Sequence, residues 1–398
     1  MAVADMRVDV LVVGGGPAGL VAATELRRLG ATVTVAERER EPGGIPRHSE
    51  HIGYGLRDQH RIATGPLYAA GLVERATRAG VDLRTSTTVL TLDSTAAVLA
   101  TPSGPVEVDA AAVVLATGVR ERPRSARLVP GDRPAGVLTT GALQQFAAAR
   151  QRVGRRAVVV GAEHVSFSAI LTLHHVGCEV AAMVTSLPRH QTYEPLRIAT
   201  ATRHRVPIRT GIEVDEIIGR RRVEAVVLSD GSRIECDTVV FTGDWIPDHE
   251  LARRTGLEMV AGSRAPAVDA RFRTSHRGLF AIGNLVHPAE TADVCALDGR
   301  AVAAGVREWL EGETNWPDVV APIDVRPPVL WAAHTARGIT LRVEAFVRGC
   351  IVLESDGRTA WISRSKHLVP NRSITIPRHQ MKSGLDCSHC VHIANTAE

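Results

Sequence analysis

The stretch from Val8 to Gly30 constrains this chain most. Val8, Val10, Leu11, Val12 and Val13 form an apolar, β-branched run too short for a buried helix. Gly14-Gly15-Gly16-Pro17-Ala18-Gly19 follows at once, and helical spacing resumes from Leu20 to Leu29. The pattern predicts strand, glycine turn and helix, with the glycines at G-x-G-x-x-G spacing. Gly14 allows the tight turn, Gly16 presents no Cβ to an approaching pyrophosphate, and Gly19 lets the helix pack close to the strand. The helix N-terminus then offers N–H groups to the anion. A second strand, Ala31 to Ala36, ends at Glu37, where a carboxylate accepts the ribose hydroxyls of a dinucleotide. A glycine motif alone is weak evidence; with strand, helix and terminal acid all present, the stretch reads as a dinucleotide-binding βαβ opening.

At 398 residues the chain is long enough for two or three domains, each with its own core. A net charge of +4 with no basic run gives nucleic acid no footprint, so it is not an expected partner. The longest apolar runs are about ten residues and end in glycine, so no membrane span is expected. The first residues carry no charged n-region or cleavage site, and six cysteines at scattered spacing make no disulfide framework. A cytoplasmic address is expected.

Further along, Pro42-Gly43-Gly44-Ile45-Pro46-Arg47-His48-Ser49-Glu50-His51 reads as an extended loop near the far end of the dinucleotide, with Tyr54 and Gly55 close behind. A helix is expected over Gln59 to Arg78, and short strands over Leu83 to Asp93 and Pro105 to Val108. Ala110 to Ala116 reads as a separate strand running into Thr117-Gly118. Ala157 to Val160, Gly161 and a helix from Phe167 to His175 repeat the opening pattern about 150 residues later, an internal repeat. Gly278 to Asn284 and a helix from about Asp293 to Leu310 follow. Pro317 to Pro328 reads as a linker, and Thr340 to Ile376 as a small antiparallel β module with Asp356-Gly357 as a hairpin turn. The last twenty residues or so read as a loose tail.

These residues resemble the two-dinucleotide-domain flavoproteins of the glutathione-reductase type. The resemblance covers about residues 5 to 310 and rests on four ordered motifs: Gly14 to Gly19 with Glu37, Ala116-Thr117-Gly118, the turn at Gly161, and Gly278 to Asn284. It implies an α/β fold of two Rossmann-like βαβ domains, one inserted in the other, plus the small C-terminal antiparallel β module. The expected boundaries are 1–122 and 238–316 for the FAD domain, 123–237 for the NAD(P)-like domain, 329–380 for the module and 381–398 for the tail. The resemblance implies FAD, held by Gly14, Gly16, Pro17, Ala18 and Gly19 on the first turn and by Glu37 and Arg38 beyond the second strand. Gly44, Ile45 and Arg47 on the Gly-Gly loop would join them, with Val89, Ala116, Thr117 and Gly118. Ahead of the last helix the same role falls to Gly283, Asn284, Thr291 and Ala292. Asn284 stands where the family has an acid for the ribityl chain, and asparagine still hydrogen-bonds a hydroxyl. The Gly43 to His48 loop and the Gly161 to Ser166 run look more narrowly like the FAD subunits of opine oxidases, hydrogen cyanide synthase and heteromeric proline, hydroxyproline and sarcosine dehydrogenases. That branch works beside an iron–sulfur carrier and a second flavoprotein subunit.

Disulfide reduction needs a cysteine pair at the flavin. The first loop has Ser49 there, and Cys178 and Cys236 in the second module form no C-x-x-C. In the second turn, Gly161-Ala162-Glu163-His164-Val165-Ser166, a carboxylate and a hydroxymethyl replace the middle and third glycines, so sterics and charge disfavour NAD(P). Arg47, His48 and His51 are the catalytic candidates; Arg47 forks toward a substrate carboxylate or pairs with the FAD phosphates. Tyr54, His287 and Glu290-Thr291-Ala292 are further candidates, with the last helix pointing its N–H groups at the flavin. Cys387 and Cys390, with His389 and His392, are weak metal candidates. Zinc or an iron–sulfur site there lacks a full ligand set and is not favoured. The expected function is that of an FAD-dependent oxidoreductase subunit working on a C–N bond of a small amino-acid-like substrate. The alternatives are an NAD(P)H-dependent flavin reductase feeding a ferredoxin-like acceptor, and a subunit in which FAD is structural.

Overall fold

The computed structural model describes residues 4–312, 315–317, 320, 322–380 and 388–394. The chain divides into two compact units: Met1–Arg47, Gly53–Val119 and Ile246–Glu398 form one, His48–Ile52 and Arg120–Trp245 the other.

The first unit is built on a seven-stranded sheet. Ala4–Val13 lies between Val33–Ala36 and Gly104–Leu115, parallel to both, with Asp82–Arg84 beyond Val33–Ala36 and Leu279–Ala281 also pairing with Gly104–Leu115. Strand alternation feeds a core on each face. Val10 and Val12 pack with Leu20, Leu26 and Tyr68 on the helical side, while Leu11 and Val13 pack with Leu99, Leu115 and Trp331 on the other. Pro105–Val108 and Ala110–Ala116 do not form two strands; Gly104–Leu115 is continuous, and Ala96–Thr101 folds back antiparallel onto it. The helix expected from Gln59 begins at Gly65, because Pro66, which lacks an N–H and suits a first turn, fixes the start.

The second unit repeats the plan. Arg156–Val160 lies between Thr238–Phe241 and Glu179–Thr185, with Val137–Thr139 and Ile208–Thr210 at the edges, all parallel. Thr238–Phe241, assigned by the sequence boundaries to the FAD domain, is therefore a strand of this second sheet. Its four residues are buried on both faces, as an inner parallel strand requires.

Within the first unit the C-terminal module pairs two sheets around Ile339, Leu341, Ile351, Leu353, Ile376 and Val391, antiparallel except where Asp324–Val325 runs parallel to His389–Ala394. The turn at Asp356-Gly357 is a two-residue hairpin with both φ positive, 48° and 74°. The module is wider than expected, reaching from Asp324–Val325 to His389–Ala394. The described part of the tail is thus not loose: His389–Ala394 pairs with Val347–Ser355, with Val391 fully buried. Within the expected linker, Val320 and Ile323 are buried. Among the described residues, no helix is long and apolar enough to cross a membrane.

Candidate functional site

The first glycine turn has three distinct geometries. A Cβ on Gly14, at φ +108°, would stand 2.5 Å from the Ala116 carbonyl oxygen, and one on Gly19 would stand 2.0 Å from the Gly14 carbonyl oxygen. Both glycines are therefore required by the protein itself. Gly16 differs: nothing lies within 4 Å of its missing Cβ, so its open side is free for a ligand. Pro17 and Ala18 begin the helix Pro17–Arg28 just beyond it. At Gly15 a Cβ would stand 2.9 Å from Glu37 Oε2, which accepts the Gly15 N–H at 2.8 Å. Glu37 also accepts the Glu39 N–H, at 2.8 Å, so its carboxylate braces the turn. Gly44 packs over Gly16, and Gly43 donates to the Gly15 carbonyl at 2.8 Å.

Asp248, which the sequence did not single out, ties the rim together. Its N–H donates to the Gly118 carbonyl, its carbonyl accepts from Thr117 Oγ1 at 2.7 Å, and its carboxylate accepts from Arg38 at 2.8 Å. Val89 packs against the core on the side of Leu11, and Ile45 is exposed. Gly283, at φ +68°, sits so close to Ala18 that a Cβ would lie 2.8 Å from the alanine methyl. Asn284 folds onto its own loop instead of standing clear: its Nδ2 donates to the Glu290 carbonyl at 3.0 Å and its Oδ1 accepts the Glu290 N–H at 2.8 Å.

The start of the helix Ala292–Leu310 is not a bare row of N–H groups. Asp293, 2% exposed, accepts from Val294 N–H at 3.0 Å, from the Arg57 N–H at 3.0 Å and from Thr291 Oγ1. An acid there meets the positive helix end, which is its favoured place. Beside it Tyr68 donates to Asp58 at 3.0 Å, and burial, outweighing the hydrogen bonds from Tyr68 and Gln59, raises the Asp58 carboxyl above its ordinary pKa. His287 is fully buried against Asp298. Burial disfavours the imidazolium, but the Asp298 carboxylate outweighs it, and the His287 pKa lies above its ordinary value. Asp298 also accepts from Gly283 and Ala336 N–H groups, so His287 belongs to a packed polar core.

The three catalytic candidates are divided between the two units. Arg47 belongs to the first unit and donates to the Glu41 carbonyl at 2.5 Å. His48 and His51 belong to the second. There both His51 ring nitrogens are engaged, Nδ1 with the Ile52 carbonyl at 2.9 Å and Nε2 with Ser168 Oγ at 2.6 Å. Gln144 donates to Ser168 Oγ and Ser49 Oγ, completing a buried polar set. His51 thus holds its own segment in place, because the helix His164–His175 presents Ser168 to it.

The second glycine turn is filled from within. A Cβ on Gly161 would stand 2.0 Å from Thr242 Oγ1, and Ser166 Oγ bonds that hydroxyl at 2.7 Å. Glu163 is 6% exposed and turned inward, its Oε1 2.5 Å from where a Cβ on Gly243 would stand. Oε1 is buried without a hydrogen-bond partner. Glu121 accepts the Gly141 N–H at 2.7 Å, and its carboxyl is held above the ordinary range by burial and, to a smaller degree, by the Glu163 charge.

Compared with known proteins, residues 8–299 match the family model of the pyridine nucleotide-disulphide oxidoreductases. The chain belongs to that family. An opine oxidase subunit of Agrobacterium tumefaciens is 28% identical over 316 residues, 69% of this chain and 61% of that protein. The benzene 1,2-dioxygenase system ferredoxin–NAD(+) reductase of Pseudomonas putida is 26% identical, over 70% of this chain and 67% of its own. Among solved structures, thioredoxin reductase of T. acidophilum superposes at a TM-score of 0.64 with 18% identity, covering 77% of this chain and 99% of that one. L-proline dehydrogenase of P. horikoshii gives 0.59 with 19% identity, over 77% and 56%. The chain spans about three fifths of the opine oxidase subunit it matches.

The family implies FAD, and the first turn fits it: two glycines are locked by packing and the one between them stays open where a pyrophosphate would approach. The family's disulphide chemistry has no matching thiols among the described residues. Cys178 and Cys236 are buried separately, with burial pushing their thiols up to about 12 and about 11. Neither is a thiolate near neutral pH, and the thiolate is the nucleophile. Cys387, one of the metal candidates, lies outside the described residues; Cys390 stands on the strand His389–Ala394.

Proposed function

We propose that this chain is the FAD-bearing subunit of a heteromeric dehydrogenase or oxidase that acts on a C–N bond of a small amino or imino acid and passes electrons to a partner carrier. The observation that carries this reading is the inward, buried Glu163 carboxylate in the second turn. A carboxylate side chain in place of the middle glycine disfavours a nicotinamide pyrophosphate, which supports another electron donor. The likeness to the A. tumefaciens opine oxidase supports the substrate class. Bound FAD would supply the two-electron acceptor for hydride from the carbon next to nitrogen. The protein's part is to hold the dinucleotide with Gly14, Gly16 and Gly19, to keep its loops in register through Glu37, Asp248 and Arg38, and to cap the last helix with Asp293. The partners are an iron–sulfur protein and a second flavoprotein subunit, in the cytoplasm.

The test is anaerobic titration of the chain, by itself and co-expressed with candidate partner proteins, with proline, sarcosine and glycine. Bleaching of the flavin by one of them, in either form, is the expected result. A complex that carries FAD and resists all three would sink the substrate class. The likeness to the P. putida reductase favours a second reading, an NAD(P)H-dependent reductase feeding a ferredoxin. It requires Glu163 to leave its buried position.

A further inference from the structure

The C-terminal module brings three metal-type donors to one face of its larger sheet. Cys390 and His392 stand two residues apart on the strand His389–Ala394, and so share a face. Glu354 is directly opposite Cys390 on the antiparallel neighbour Val347–Ser355. Cys390 Sγ, His392 Nδ1 and a Glu354 carboxylate oxygen all lie within 4.8 Å of one another. Arg326 donates to Glu354 Oε2 at 2.9 Å, while Oε1 faces His392 Nδ1 at 3.9 Å. That separation is too long for a hydrogen bond, and His392 Nδ1 is buried without a hydrogen-bond partner. A cavity of about 410 Å³ opens beside the donors, lined by Glu354 and Cys390 together with Asp324 and Ser388.

We propose that Glu354, Cys390 and His392 bind one zinc ion, with water from the cavity side as the fourth ligand. A mixed sulfur, nitrogen and oxygen set suits zinc, whereas calcium and magnesium take oxygen alone. Tetrahedral zinc at ordinary bond lengths sets its ligand atoms roughly 3.3 to 3.8 Å apart, so the donors need only close slightly on the ion. Cys390 binds as the thiolate, and its proton goes to solvent. The ion clamps the terminal strand to its neighbour and uses the lone pair that His392 Nδ1 leaves unpaired.

The experiment uses the full chain, stripped with chelator and titrated first with cobalt(II) and then with zinc. One equivalent of cobalt is expected, with a thiolate-to-metal charge-transfer band and tetrahedral d–d bands, both displaced by zinc. Cys390→Ser should abolish the charge-transfer band. Glu354→Gln and His392→Asn should each weaken zinc binding by roughly two orders of magnitude, while Cys387→Ala should leave it unchanged. Far-UV circular dichroism of each metal-free variant separates lost ligation from lost folding. No stoichiometric uptake by the parent chain overturns the proposal. So does loss of uptake in Cys387→Ala with retention in Glu354→Gln and His392→Asn, because the C-x-x-C pair would then be the binding site.

Discussion

The two glycine turns begin alike and end differently. In each, the first glycine has a positive φ and a missing Cβ that would collide with a neighbouring strand or loop: 2.5 Å from the Ala116 carbonyl at Gly14, 2.0 Å from Thr242 Oγ1 at Gly161. The middle position separates them. Gly16 faces open space, while Glu163 is folded back and buried against Gly243. The fold of a βαβ opening therefore depends on the first glycine and the tight packing of strand on helix. On the proposed reading, binding depends on the middle position, and the second turn keeps the first property without the second.

The largest test of this contrast compares Gly19→Val with Gly161→Val. Both place a Cβ 2.0 Å from an oxygen, and each should destabilise its unit by about 3 kcal/mol or more. Gly19→Val should also release the flavin, read as loss of visible absorbance after gel filtration, and Gly161→Val should not. Next in size, Gly16→Ala meets no atom within 4 Å, so the melting temperature of the flavin-free protein should hold while FAD affinity falls roughly 10- to 100-fold. Flavin fluorescence titration measures it. If Gly16→Ala binds FAD normally, the open side of the turn is not the pyrophosphate face.

A gain of function sharpens the same comparison. On the proposed reading the parent chain does not react with NADH or NADPH; Glu163→Gly with Ser166→Gly restores the missing glycines and should give a flavin that bleaches slowly at millimolar nicotinamide. Continued inertness would mean that more than the turn has been lost. The smallest effect is a pH dependence. Burial and the Glu163 charge raise the Glu121 pKa in the folded state. The folded protein therefore binds more protons than the unfolded chain above the ordinary carboxylate range, and stability falls as pH rises through the raised pKa. Glu163→Gln removes the repelling charge and should be more stable than the parent by about 1 kcal/mol at neutral pH, with the difference vanishing in acid. Urea midpoints across that range decide it.

Much of the first turn was legible in the sequence because its chemistry is local: the spacing of three glycines encodes strand, turn and helix within twelve residues. The second turn was legible for the same reason, down to Glu163 and Ser166. What the sequence hid is contact made at long range. Asp248 reaches Arg38, Thr117 and Gly118 from 130 or more residues away, and Asp298 holds His287, Gly283 and Ala336 together. A single aspartate carries no periodic signal. Asp293 had one, as an acid two residues after Thr291 in the first turn of a helix, and could have been found. The partner of His51 was not legible: a loop histidine next to glycines gives no sign that Ser168, more than a hundred residues on, meets its ring nitrogen. The terminal strand His389–Ala394 was read as part of a loose tail, although alternate residues, His389 and Val391, are buried.

The central claim is that the first turn holds the redox cofactor and the second admits no nicotinamide. Its most direct test is anaerobic stopped-flow mixing of the purified flavoprotein with NADH and with NADPH. The account predicts a visible spectrum that stays oxidised over minutes, with no charge-transfer band at long wavelength. Bleaching within seconds by either nucleotide would contradict it and make the chain a nicotinamide-driven reductase.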